Sequence, residues 1–211
     1  MVGCLKWIAQ TARPDLSFVC GVLSRYQARP LPEHLDMAKR ALRHLRKTQT
    51  QDLVFEQSGK DILSLVGYTD SDFAGDEETS RSTTGFVFYV CGNPVSWSSR
   101  LQTSVAMSTV EAEYIALAEG LREGLWLRNL LTELGFPPQV PFLLHTDNEG
   151  TRTIAAIQKP TSARNTSSSA TMLCVSAPRA ARLMLCASTH LTIQPTSSRR
   201  HSWAPSSRMR D

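Results

Sequence analysis

The sequence contains no apolar run approaching the roughly 18 residues that a bilayer-spanning helix requires. Charges at Lys6, Arg13 and Asp15 deny its first residues the apolar stretch of a secretory signal. Cysteine is sparse and odd in number: Cys4, Cys20, Cys91, Cys174 and Cys186 include no closely spaced pair. That argues against a disulfide framework or a zinc site, and for a reducing compartment, cytoplasmic or nuclear, rather than secretion. Acids are missing from one end. Residues 157–211 carry eight Lys/Arg against the single acid Asp211, a net of +7, whereas residues 1–156 carry a net of −3. With 41% hydrophobic and 20% charged residues over 211 positions, the chain reads as globular, with room for one ordinary domain or two small ones.

The first fifty residues read as helices. Val2 to Gln10 is apolar and compact; Arg13-Pro14-Asp15 breaks it, with Asp15 placed to cap a second helix running to about Tyr26. After Pro30 and Pro32, apolar residues recur at Leu35, Ala38, Ala41, Leu42 and Leu45, a helical spacing. The other face of that helix carries Lys39, Arg40, Arg43, Arg46 and Lys47, either a solvated surface or a set of phosphate contacts. From Asp61 the pattern changes to strands. Ile62 to Tyr68 runs into Thr69-Asp70-Ser71-Asp72, and Gly85–Cys91 and Pro94–Ser99 read as strands joined at Cys91-Gly92-Asn93-Pro94, a hairpin signal. A long helix follows from a Ser108 or Thr109 cap to Leu134, ended by Gly135. Phe142–His145 is a short strand, and Asn148–Ala156 reads as helix. Trp97 and Trp126 read as core residues. This order gives a layered α/β or α+β fold.

Three carboxylates stand where chemistry could use them. Asp70 and Asp147 each follow an apolar strand, and Glu113 lies near the start of the long helix. If the strands are neighbours and the helix begins beside their ends, the three converge into hard oxygen ligands suited to Mg²⁺. Two such ions can activate a water and hold a leaving oxygen in phosphodiester cleavage. Acids at turns and helix starts also serve as caps, so spacing alone leaves both readings open.

The residues around these acids form an ordered set of motifs. Gly67-Tyr68-Thr69-Asp70-Ser71-Asp72-Phe73-Ala74-Gly75-Asp76 is followed by Ser80-Arg81-Ser82-Thr83-Thr84-Gly85-Phe86 and Pro94-Val95-Ser96-Trp97-Ser98-Ser99. Then come Gln102-Thr103, Ser108-Thr109-Val110-Glu111-Ala112-Glu113-Tyr114-Ile115-Ala116-Leu117 and Thr146-Asp147-Asn148. Together they closely resemble the ribonuclease H domain of copia-type LTR retrotransposon polyproteins. Upstream, Val2-Gly3-Cys4-Leu5, Thr11-Ala12-Arg13-Pro14-Asp15-Leu16 and the basic helix ending Leu45-Arg46-Lys47-Thr48 resemble the end of that family's reverse transcriptase. The resemblance covers residues 2 to about 156. It implies a helical reverse transcriptase end over 1–55, an incomplete ribonuclease H-like domain over 61–156 and a tail over 157–211. It also implies Mg²⁺-dependent (or Mn²⁺-dependent) hydrolysis of the RNA strand of RNA–DNA hybrids. Asp70, Glu113 and Asp147 would be catalytic metal ligands, with Asp72 a weaker candidate than Asp70, and Arg40, Arg43 and Lys47 would contact nucleic acid. The partners implied are the hybrid and the rest of a Pol polyprotein, with no membrane.

The tail departs from the family. The expected fourth acid, in an Ala-Asp-x-x-Thr-Lys-Ala-Leu segment, and the Arg-Thr-Lys-His-Ile motif before it are both absent. By composition residues 157–211 read as disordered, with seventeen Ser or Thr and one-sided charge. Read one nucleotide upstream, however, Asn165–Thr171 can be decoded as Lys-His-Ile-Glu-Leu-Arg-Tyr. One constant phase over residues 157–202 restores both missing segments, and Met172 and Met184, which allow no codon choice, fit it. The expectation is a one-nucleotide deletion near codon 156. A ribonuclease H-like sheet lacking its last strand and helix would then leave Phe142–His145 as an unpaired edge. It would also leave an apolar sheet face uncovered, and hydrolysis weak or absent. The alternatives are a non-catalytic nucleic-acid-binding relic and an unfolded pseudogene product.

Overall fold

The computed structural model describes residues 1–57, 63–138, 142–151 and 172–176. Helix α1 (Val2–Thr11), a 3₁₀ turn at Pro14–Leu16, α2 (Ser17–Arg25) and α3 (Pro32–Lys47) come first. Strands β1 (Leu65–Asp72), β2 (Thr83–Val90) and β3 (Asn93–Leu101) follow, then the long helix α4 (Thr109–Glu133), β4 (Phe142–Thr146) and β5 (Met172–Ser176). The fold is the expected mixed α/β sheet with flanking helices.

The strand order is β3-β2-β1-β4-β5. β1–β2 and β2–β3 are antiparallel, while β4 runs parallel to β1. The β2–β3 hairpin turns at Cys91-Gly92, both with positive φ (52° and 83°), a backbone that glycine adopts without steric cost. One face of the sheet carries α4. Phe88, Leu144, Leu117 and Phe142 are buried there, and α4 approaches closely because Gly120 and Gly124 present no Cβ. A Cβ at Gly120 would lie 2.2 Å from Thr69 Cγ2, and one at Gly124 2.6 Å from the Phe142 ring. The opposite face, at β3, meets the helices: Trp97 Nε1 donates to the Ala9 carbonyl at 2.7 Å. Leu5, Leu16, Val19, Leu23 and Ala41 make a second apolar cluster among α1, α2 and α3.

Four expectations change. β1 runs through Asp72 rather than ending at Tyr68, because Thr69, Asp70, Ser71 and Asp72 continue the ladder opposite Phe86, Gly85, Thr84 and Thr83. Asp15 does not cap α2. It accepts from Arg13 Nε at 2.9 Å and lies 2.6 Å from His44 Nε2, tying the 3₁₀ turn to α3. Trp126 is 55% exposed on α4 rather than core, and Leu35 and Leu42 of the α3 stripe stand 49% and 43% exposed.

The fourth change concerns the far side of β4, which is not an open edge. β5 lies parallel to it over Phe142↔Met172 through Thr146↔Ser176. Unpaired backbone N–H and C=O groups accept any short extended segment, since ladder bonds are made by the main chain. The rest of the tail, and the Asn148–Ala156 helix beyond residues 149–151, lie outside the described residues.

Candidate metal centre

The three acids arrive from three elements. Asp70 sits near the end of β1, and Asp147 follows β4 directly. β1 and β4 are parallel neighbours in the register Val66↔Leu143 to Tyr68↔His145, so their carboxyl ends open on the same side. His145 turns away from buried Leu144 and stacks on Tyr68, ring centroids 4.7 Å apart. Thr69 Oγ1 donates to the His145 carbonyl at 3.3 Å, locking the two strands just before the acids. Glu113 is delivered by the start of α4. Ser108 caps that helix, its Oγ accepting the Glu111 N–H at 3.2 Å. Glu111 Oε2 reaches back to the Met107 N–H at 2.7 Å, so Glu111 serves the cap and leaves Glu113 to the site. After Asp147, Asn148 Oδ1 accepts the Thr151 N–H at 3.0 Å, and Thr151 Oγ1 donates to the Val110 carbonyl at 3.4 Å. The Asp147 loop is thereby fixed to the first turn of α4.

The result is a cluster in which one carboxylate oxygen from each of Asp70, Glu113 and Asp147 lies within 4.8 Å of the others. Glu113 is only 6% exposed. Its Oε1 accepts from Ser71 Oγ at 2.9 Å and the Ser71 N–H at 3.1 Å, while its buried Oε2 has no hydrogen-bond partner among the described residues. Burial pushes the Glu113 carboxyl up to about 7; the Ser71 hydrogen bond opposes this, and the charges of Asp70 and Asp147 add to it. Asp70 is raised as well, by burial first and then by the Asp147 charge. Three carboxylates forced together, one with a buried lone-pair oxygen facing no donor, are what a hard divalent cation would neutralise. The donor set therefore fits Mg²⁺ or Mn²⁺. Ser71 was not singled out from the sequence, although its place between Asp70 and Asp72 is the signal that could have found it.

The cationic candidates stand elsewhere. Arg40, Arg43 and Lys47 are exposed along α3, which packs on α2, and none of them forms a hydrogen bond or ion pair among the described residues. No helix among the described residues is long and apolar enough to cross a membrane.

No model of a known protein family matches the chain. It is 42% identical over 148 residues to the retrovirus-related Pol polyprotein from transposon TNT 1-94 of Nicotiana tabacum, covering 70% of this chain and 11% of that protein. It is 38% identical over 156 residues to the Pol polyprotein from transposon RE1 of Arabidopsis thaliana, covering 74% and 10%. The chain resembles one segment of the retrovirus-related Pol polyproteins of retrotransposons. It spans only about a tenth of the length of those two Pol relatives. A shorter protein of Plasmopara viticola named secreted RxLR effector protein 161 is 45% identical over 126 residues, 60% of this chain and 87% of that protein. Among solved structures, the LC11-RNase H1 complex with an RNA/DNA hybrid aligns with 56% of this chain and 88% of its own, at 16% identity and a TM-score of 0.38.

Proposed function

We propose that this Pol-like segment is a ribonuclease H-like nuclease domain preceded by the helical end of a reverse transcriptase, of copia type. Its reaction is divalent-metal-dependent hydrolysis of the RNA strand of RNA–DNA hybrids. The observation that carries the reading is the convergence of Asp70, Glu113 and Asp147 within 4.8 Å in a chain that resembles a segment of Pol. Asp70, Glu113 and Asp147 would hold Mg²⁺, with Mn²⁺ as a substitute. When bound, the cation supplies the Lewis acidity that lowers the pKa of an attacking water and offsets charge on the leaving oxygen. The chain's own residues orient and restrict. Ser71 pins Oε1 of Glu113 and so directs Oε2 toward the other two acids. Asp147, exposed at the end of β4, leaves one side of the cluster open to a phosphodiester. Substrate of that charge enters against three carboxylates only when a cation is present, which makes catalysis strictly metal-dependent.

The domain boundaries follow this reading: 1–55 reverse transcriptase end, 61–156 incomplete nuclease domain, 157–211 an out-of-frame tail. In support of the last, neither Pol relative aligns over more than 156 residues. The lost fourth acid weakens cleavage. The deciding assay follows a labelled RNA–DNA hybrid in Mg²⁺ and in Mn²⁺, with this chain beside a version whose frame is restored after Ala156. The restored version is expected to cleave, Asp70→Asn to abolish cleavage while keeping hybrid binding, and this chain to cleave weakly or not at all. Silence of the restored version in both metals, or cleavage that survives Asp70→Asn, overturns the reading. A second reading, a binding module without catalysis, is favoured by the exposed cations Arg40, Arg43 and Lys47 on α3, which have no ion-pair partner among the described residues; it is the outcome if hybrid binds and neither version cleaves.

A further inference from the structure

Gln102 follows directly on β3 and is 2% exposed. A primary amide that deep in a protein costs free energy unless its polar groups are met. Its Nε2 donates to the Ala112 carbonyl and to Thr84 Oγ1, each at 3.0 Å. A carbonyl can accept only from the N–H₂ end, so the bond to Ala112 fixes which way the amide is turned. Oε1 is buried with no hydrogen-bond partner among the described residues. A methionine of similar length would fill the same space and leave no oxygen unmet. What the amide supplies is placement rather than packing.

Both groups that it joins border the carboxylate cluster. Ala112 lies in the first turn of α4, immediately before Glu113. Thr84 is the β2 register partner of Ser71, whose hydroxyl and N–H donate to Glu113 Oε1. The Gln102 N–H donates to the Ser82 carbonyl at 2.8 Å. Ser82 Oγ in turn accepts the Ala74 N–H at 3.1 Å, just beyond the strand that carries Asp70. The sheet thus grips the start of α4 twice, by the main chain at residue 112 and by the carboxylate at 113. Side-chain packing fixes the helix only weakly there. Ala112, Ala116 and Gly120 are buried on α4 beside Leu117; small residues let a helix lie close to a sheet but give it few ridges to lock into. A slip of one residue's rise would carry Glu113 about 1.5 Å along the axis. Metal–oxygen distances tolerate only a few tenths of an ångström.

We propose that Gln102 is a positioning residue for the metal site: by holding the Ala112 carbonyl against β2, it sets where α4 delivers Glu113. This role rests on the divalent-metal reading above, and it falls to a side chain that touches neither cation nor substrate.

The test is Mn²⁺ binding to the full chain without substrate, read from the loss of the free-ion electron paramagnetic resonance signal. Gln102→Met is expected to weaken binding about ten-fold, the usual scale for a group that orients a metal ligand, while its metal-free melting temperature stays close to that of the wild type. Thr84→Val removes one of the two acceptors. It is expected to weaken binding a few-fold, and it reads the same linkage should the methionine variant not fold. Leu127→Ala, a core truncation toward the far end of α4, is the control: a lower melting temperature with unchanged Mn²⁺ affinity. In the version with the frame restored, Gln102→Met should lower kcat and leave the KM for hybrid unchanged, because Gln102 lies beneath the surface. Wild-type Mn²⁺ affinity in both Gln102→Met and Thr84→Val overturns the role, as does a loss of affinity that Leu127→Ala reproduces. Failure of the divalent-metal reading is a different result. Then neither this chain nor the restored version binds Mn²⁺, or binding survives Asp70→Asn, and the role of Gln102 falls with it.

Discussion

Glu113→Gln separates what the carboxylate cluster does for the fold from what it does for a metal. The substitution keeps the shape of the side chain and lets its oxygen accept both Ser71 donors, now 2.9 and 3.1 Å from Oε1. It replaces the partnerless buried oxygen with an amide N–H₂ able to donate toward Asp70. The rise of the Glu113 carboxyl from its ordinary 4.5 to about 7 means that holding it ionised in the folded chain costs about 3 kcal/mol relative to the unfolded one. The folded value lies above the unfolded value. The stability is therefore full below pH 4.5 and is lost as pH rises through 7. Glutamine carries no such dependence. At pH 8 without metal the variant should be the more stable by up to about 3 kcal/mol, a rise of about 5–10 °C in Tm for a chain of this size. At pH 4.5 the two should converge. Saturating Mg²⁺ at pH 8 should close the gap by stabilising the wild type alone, since only the native carboxylates bind it. Thermal melts at pH 4.5, 6 and 8, with and without Mg²⁺, read all of this. A variant no more stable than wild type at pH 8, or a gap that persists at pH 4.5, refutes the argument that crowded charge dominates the site.

Three further outcomes follow from the packing. Gly120→Val drives a branched side chain into Thr69, where even a Cβ would stand 2.2 Å from Cγ2, and should cost about 1–3 kcal/mol in chemical denaturation; an unchanged midpoint would mean that α4 does not press on β1 there. Asp76 is 6% exposed along its side chain and bonded to Arg25 and Thr79. Burial pushes its carboxyl up, but the Thr79 hydrogen bond and the Arg25 charge outweigh this and hold it below the ordinary range. Its stabilisation is thus present above pH about 4 and lost as pH falls through the folded value; Asp76→Asn should lose about 2 kcal/mol at pH 7 and show a flatter acid limb in melts between pH 5 and 2. Leu173→Pro/Cys174→Pro removes two successive backbone N–H groups from β5, at least one of which must face β4, and should lower the melting temperature and promote self-association in light scattering. The matching double alanine should do neither to the same degree.

The parts of the fold visible in the sequence were those set by local chemistry. The turn at Gly92, the Ser108 cap and the stop at Gly135 are each a residue type doing what its backbone or hydroxyl dictates. The three acids were legible because they stand next to apolar runs and because motifs around them run in family order. Errors arose where distant partners decide. Asp15 reads as a cap until His44, twenty-nine positions away, offers its ring. β1 reads as ending at Tyr68 because Thr69 to Asp72 are polar, yet β2 supplies the ladder that extends it. Trp126 reads as core by its size, but α4 turns it outward while the glycines on the buried side let the helix sit on the sheet. Ser71 is a serine between two acids, and only the fold shows that it faces Glu113.

If residues 157–211 are out of frame, as proposed above, β5 shows why a sheet and a ligand set would respond differently to the change of sequence. Ladder hydrogen bonds are made by groups every residue except proline carries, so Met172–Ser176 can complete the edge of β4 whatever frame encoded it. A ligand set has no such tolerance, because it needs a carboxylate at one position. Residues 157–211 contain a single acidic side chain, Asp211 at the last position. The tail can therefore cover the sheet edge and still leave the cluster at three carboxylates. On this reasoning the damage falls on catalysis before it falls on the fold, and restoring one acid should matter more to hybrid cleavage than restoring the strand.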